Sequence, residues 1–125
     1  MILDTNAVSA LADGAPAVLE VLADVELLSL PVIVLGEFRF GAAQSRHRLR
    51  YESWLTRLAA ASQVLPVDEE TARHYAALRE RLRAGGRPIP SNDAWIAALA
   101  LQHRLPVLSR DHHFDVVADV QRGGW

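Results

Sequence analysis

Short unbroken apolar runs alternate along the chain with longer stretches in which apolar residues return at helical spacing. Met1-Ile2-Leu3 predicts a strand from the first residue, cut off at Asp4. Asn6 is read as the N-cap of a short helix to about Ala12, which Asp13-Gly14 breaks. Pro16 to about Val25 predicts a second helix, with Val18, Leu19 and Leu22 on one face, and Glu26 to Leu30 a strand. Pro31 suits the first position of a helix running to about Ala43. Ser45 to about Ala61 is amphipathic, with Tyr51, Trp54, Leu55 and Leu58 at helical spacing, and Val64-Leu65 forms a short strand. Asp68 caps the next helix: Glu69 and Glu70 open it, Arg79, Arg81 and Arg83 lie near its end, and Gly85-Gly86 stop it. Ser91 caps a helix from Asn92 to about His103 whose run Ala94 to Leu101 is apolar nearly all round, as in a helix buried at the centre of a fold. Trp54 and Trp95 are assigned to the core. Pro106 to Ser109 is a strand, Arg110 to His113 a polar loop, and Val116 to Val120 an edge strand. Strands alternating with helices imply an α/β fold, a parallel sheet with helices on both faces.

Composition narrows the chemistry. With 125 residues and no linker-like tract dividing them, the chain is expected to form a single domain, residues 1–125. There is no cysteine and no lysine; all 13 basic residues are arginine. Disulfides, thiolate metal sites, thiol nucleophiles, Schiff-base lysines and the P-loop lysine are thereby excluded. A net charge of −2 argues against a uniformly basic nucleic-acid coat but allows a local basic surface. The longest apolar stretch, Leu27 to Leu35, is too short to span a bilayer, and Asp4 interrupts any secretory signal, so a cytoplasmic protein is expected.

The acidic residues carry the functional signal. Asp4 ends the first strand, Asp93 lies in the first turn of the most apolar helix, and Asp111 follows the strand at Val107-Leu108. In an open parallel sheet the carboxyl ends of strands and the N-termini of the following helices share one edge, so the topology gathers these carboxylates there. Glu37 lies inside the apolar stretch Val32 to Phe38, where an ionised side chain is costly unless paired or bound to a cation. Each acid alone has an ordinary explanation: a strand end or cap for Asp4, the helix dipole for Asp93, a loop for Asp111, an arginine partner for Glu37. Crowded together, they must hold protons or recruit cations, and an all-oxygen set selects Mg²⁺ or Mn²⁺. Such a site suits metal-assisted hydrolysis of a phosphodiester.

Four segments also carry a family resemblance. Ile2-Leu3-Asp4-Thr5-Asn6 resembles the opening motif of PIN-domain ribonucleases, Leu35 to Gly41 their glutamate helix, Ser91 to Ala97 their third acidic motif, and Leu108 to Phe114 their last. Order and spacing match across essentially the whole chain, and its size resembles the toxin subunit of a VapBC-type toxin–antitoxin pair. The resemblance implies a PIN-like three-layer α/β/α sandwich around a mostly parallel sheet of four to five short strands. It further implies an endoribonuclease using Mg²⁺ or Mn²⁺, a homodimer, and a VapB-type antitoxin whose tail occupies the acidic groove. On this likeness Asp4, Glu37, Asp93 and Asp111 are the metal and water ligands, and Thr5, Asn6 and Ser109 orient them. Asp115 either contributes through water or caps the next element.

Arg39, Arg46, Arg48 and Arg50 lie in the most basic stretch and are candidates for RNA phosphate contact; a solvated helix face or antitoxin contact are the alternatives. Zinc at His112-His113 is disfavoured, since there is neither cysteine nor a His-x3-His pair. A receiver domain would need a lysine, and a haloacid-dehalogenase-type phosphatase an Asp-x-Asp where this chain has Asp4-Thr5-Asn6. The non-enzyme alternative is a module of the same fold that binds RNA or a partner with little turnover.

Overall fold

The computed structural model describes all residues, Met1–Trp125. The strands are β1 (Ile2–Leu3), β2 (Ser29–Pro31), β3 (Gln63–Leu65), β4 (Val107–Leu108) and β5 (Arg122–Gly123). The helices are α1 (Thr5–Ala12), α2 (Pro16–Leu22), α3 (Val32–Ala43), α4 (Arg48–Ala60), α5 (Glu69–Ala84) and α6 (Ser91–His103), with a 3₁₀ turn at His112–Val116. No helix is long and apolar enough to cross a membrane.

All strand pairings are parallel, in the order β3-β2-β1-β4-β5. Ile2 pairs with Ser29 on one side and with Val107 on the other, and Leu3 with Leu108. The strand order therefore reverses between β1 and β4, and the crevice beyond their carboxyl ends is where such sheets place a site. Asp4 follows β1 directly, and Ser109 to Asp111 follow β4.

The central strands are apolar because water reaches neither face: Ile2, Leu3, Val107 and Leu108 are fully buried. Helix α6 is buried as its composition requires, with Ala94 and Ile96 to Leu99 completely covered. Helices α1 to α4 pack among themselves and α5 packs along α6, which gives the α/β/α layering with the sheet in the middle. The Asp68 cap is present and is a full capping box: its carboxylate accepts from Thr71 N at 3.0 Å and Thr71 Oγ1 accepts from Asp68 N at 3.1 Å.

Several boundaries differ from the sequence reading. The N-cap of α1 is Asp4, not Asn6: the chain leaves β1 extended at Asp4, whose carboxylate accepts from Thr5 N at 2.8 Å, so the helix starts earlier and Asn6 is free to reach elsewhere. Pro31 ends β2 and caps α3 rather than opening it. Pro90, not Ser91, caps α6, without a side-chain bond. Helix α2 stops at Leu22, and α4 begins at Arg48 after a turn in which Ser45 Oγ accepts from His47 N. Val116 to Val120 is not the edge strand: the 3₁₀ turn runs to Val116, Phe114 and Val117 are buried, and β5 pairs further on at Arg122–Gly123. Trp54 packs against the core, its ring 5.6 Å from Phe38. Trp95 does not join the core; half-buried, it stacks on Tyr75 at 3.7 Å between ring centres.

Candidate metal centre

The site begins with a buried carboxylate. Asp4 is 4% exposed because it sits where β1 meets α1, beneath the chain leaving β4. Its Oδ1 accepts from Thr5 N at 2.8 Å, and its Oδ2 from Ser109 Oγ at 2.6 Å and Asn6 Nδ2 at 3.4 Å. Ser109, itself buried, also accepts from Asp111 N at 2.9 Å and from Asn6 Nδ2 at 3.2 Å, and Asn6 Oδ1 accepts from Arg110 N at 3.2 Å. The side chains of Asn6 and Ser109 thus lock the ends of two adjacent strands together around one anion. Ser109→Ala should destabilise the protein by about 1–3 kcal/mol, since it strips a bond from Asp4 and leaves Asp111 N without its acceptor. Urea denaturation measures this, and an unchanged midpoint would show that the hydroxyl bears no part of the network.

Two further acids arrive from other segments. Asp93 comes from the first turn of α6, where the helix dipole favours a negative charge. Asp111 caps the 3₁₀ turn, its Oδ1 accepting from His113 N at 2.9 Å. Burial raises the pKa of Asp4 above its ordinary 3.8, and the charge of Asp111 adds to the rise, against the opposing bonds from Ser109 and Thr5. Burial raises Asp93 too, and Asp111 and Asp4 push it further, against the opposing bond to His113. The charges of these three acids act on one another across the ends of β1, β4 and α6.

Glu37 joins through Thr5, whose Oγ1 donates to Glu37 Oε1 at 3.1 Å while its backbone N–H holds Asp4. It is half-buried on the wall of an open groove shared with Ser9, Asp13, Phe38 and Tyr51. Asp115 stands apart: Arg122 donates to it from Nε at 2.8 Å and Nη2 at 3.1 Å, and His112 lies 2.9 Å away, which lowers its pKa to about 2. Its link to the site runs through Arg122, whose Nη1 donates to the carbonyl of Ser109 at 3.0 Å. Arg39 lies 3.6 Å from Glu52, Arg50 stacks over the ring of Tyr51 on the groove wall, and Arg46 and Arg48 are exposed.

One residue of the centre was not assigned to it from sequence. His113 Nδ1 lies 2.8 Å from Asp93 Oδ2 and 2.9 Å from Asp111 Oδ1. The only signal for it is its position two residues after a strand-following aspartate, where a cap folds the chain back. The carboxylates of Asp93 and Asp111 and the imidazole of His113, with donor atoms within 4.8 Å of one another, form a set that fits a divalent cation, and the charge of Asp4 acts on the same set.

The sequence model of the PIN domain family matches residues 1–120. The chain belongs to the PIN-domain family. Among curated proteins it is 36% identical to VapC ribonuclease Y4jK of Sinorhizobium fredii, over 89% of this chain and 86% of that one. It is 34% identical to Ribonuclease VapC4 of Mycobacterium tuberculosis over 72% of this chain and 71% of that protein. Among solved structures, VapBC-5 of M. tuberculosis, a member of the VapBC family of toxin–antitoxin systems, superposes with a TM-score of 0.77 at 32% identity, covering 99% of this chain and 97% of that one. This PIN-family member thus carries the three-layer fold and places Asp4, Asp93 and Asp111 at its sheet crevice.

Proposed function

We propose that this PIN-domain protein is a metal-dependent endoribonuclease, the toxin of a VapBC-type pair, in which Asp4, Glu37, Asp93 and Asp111 hold Mg²⁺ or Mn²⁺. The observation that carries the reading is the convergence of Asp4, Asp93 and Asp111, from three distant segments, at the crevice between β1 and β4. Such an ion supplies Lewis acidity, lowering the pKa of a bound water and offsetting charge on the phosphate. The chain's own part is preorganisation. Asp4 is fixed by Thr5, Asn6 and Ser109 and cannot turn away when RNA binds. Asp93 and Asp111 carry the negative charge a cation needs, and Glu37, on the groove wall, orients the attacking water. Arg39, Arg46, Arg48 and Arg50 provide phosphate contacts along the rim, so RNA affinity should fall as salt rises.

The partner is a VapB-type antitoxin, and the active form is a cytoplasmic homodimer of single-domain chains. The curated VapC relatives and VapBC-5 support the antitoxin partner, and the groove beside Glu37, lined by the half-buried Tyr51 and the buried Phe38, offers a surface for it.

Incubation of purified protein with RNA tests the proposal. Cleavage is expected with Mg²⁺ or Mn²⁺, is expected to stop with excess chelator, and should return when the ion is restored. RNA binding without cleavage at saturating ion would instead support the binding module and end the nuclease reading.

A further inference from the structure

We propose that His113 is a direct nitrogen donor of the metal centre and tilts it towards a first-row transition ion, Mn²⁺ over Mg²⁺. This rests on the metal-centre reading above and goes beyond it in naming a ligand and the selectivity it confers.

The geometry is that of a shared vertex. The donor atoms of Asp93, Asp111 and His113 all lie within 4.8 Å of one another. His113 Nδ1 is 2.8 Å from one carboxylate oxygen and 2.9 Å from the other. Neighbouring ligands of an octahedral ion bound at about 2.1 Å stand about 3.0 Å apart, so these separations nearly equal an octahedral edge. Asp93 comes from α6 and Asp111 from the end of β4, while His113 is set between them by the 3₁₀ turn that Asp111 caps. The buried Phe114, next in sequence, anchors that turn in the core, so the imidazole is held without being buried.

The alternative is that His113 is only a counter-ion for two crowded acids. The two roles differ in consequence. A counter-ion competes with metal, and its removal strengthens binding of both ions. A donor adds a bond, and a nitrogen ligand is accepted by a first-row transition ion such as Mn²⁺ where Mg²⁺ keeps to oxygen ligands and its waters.

Calorimetric titration of the full chain with MnCl₂ and with MgCl₂ at one pH separates them, using wild type, His113→Ala and His113→Asp. The expected result is that His113→Ala loses Mn²⁺ affinity by at least about 10-fold, the least that even supporting groups of metal sites contribute, with a smaller change for Mg²⁺. His113→Asp, which makes the set all oxygen, should retain binding and shift its preference towards Mg²⁺. Pulsed paramagnetic resonance of the Mn²⁺-loaded wild type should show coupling to a directly bound nitrogen, absent in both variants. The side chain of His113 is 48% exposed, so both variants should keep native circular dichroism. If wild type binds both ions without nitrogen coupling, or His113→Ala binds both more tightly, the donor role is overturned and the carboxylate centre stands. If wild type binds neither ion, the metal-centre reading falls and this inference with it.

Discussion

Asp4→Asn is expected to lower RNA cleavage by at least about 100-fold while leaving circular dichroism native. Loss of groups that merely support metal ligands costs about 10-fold to 100-fold, and Asp4 is assigned as a ligand itself. The change is close to isosteric, and the amide oxygen can keep the cap bond from Thr5 N. What disappears is the charge, together with the acceptor that Oδ2 offers Ser109 Oγ and Asn6 Nδ2. The same substitution gives a second readout without RNA. Burial, chiefly, raises the pKa of Asp4 above 3.8. An acid raised on folding contributes stability that is complete below its unfolded pKa and is lost as pH rises through the folded value. Metal-free wild type should therefore melt at higher temperature as pH is lowered from 7 towards 4, with Asp93 acting in the same direction. Asp4→Asn should flatten that trend, and saturating Mg²⁺ or Mn²⁺ should flatten it in wild type by offsetting the charge at neutral pH. Equal cleavage by folded Asp4→Asn would mean that the activity belongs to a contaminant, and the catalytic assignment would be lost.

Much of this centre is legible in the sequence because its signals are local. Asp68, with its acidic first turn and glycine stop, predicts α5 because capping and dipole effects act within one turn. The run Ala94 to Leu101 predicts a buried helix because nothing in it can face water, although Trp95, lying against Tyr75, shows that one position of the run meets another helix instead of the core. The edge at which Asp4, Asp93 and Asp111 meet follows from strand–helix alternation. Features set by tertiary geometry are not legible. Whether Asp4 or Asn6 caps α1 depends on the angle at which the chain leaves β1, which pairing with β4 fixes. The displacement of the last strand to Arg122–Gly123 follows from Phe114 claiming core space ahead of it. His113 acquires its neighbours through that same turn, which joins it to an aspartate 20 residues upstream, and no spacing rule for consecutive histidines reports this.

Phe114→Ala should bring the largest loss of stability, about 3–5 kcal/mol. Phe114 is fully buried and is the largest fully buried side chain of the protein. A chain this size loses about 4 °C of melting temperature per kcal/mol, so the expected fall is about 12–20 °C by scanning calorimetry. This is a large share of the roughly 5–15 kcal/mol that holds an ordinary domain together. Phe114→Leu, which retains most of the apolar volume, should cost much less. The consequence extends to the metal centre because the 3₁₀ turn packs on α6 and is threaded through the site, with Asp111 as its cap, His113 on it and Asp115 tied to Arg122. Emptying the Phe114 pocket frees the turn to shift, so metal affinity should fall in Phe114→Ala at temperatures where the variant remains folded, and fall less in Phe114→Leu. A graded loss of both properties would show that one aromatic ring in the core sets the geometry of the acids at the surface. A large drop in melting temperature with unchanged metal affinity would instead show that the Asp111 cap and the Arg122 bridge hold the site by themselves.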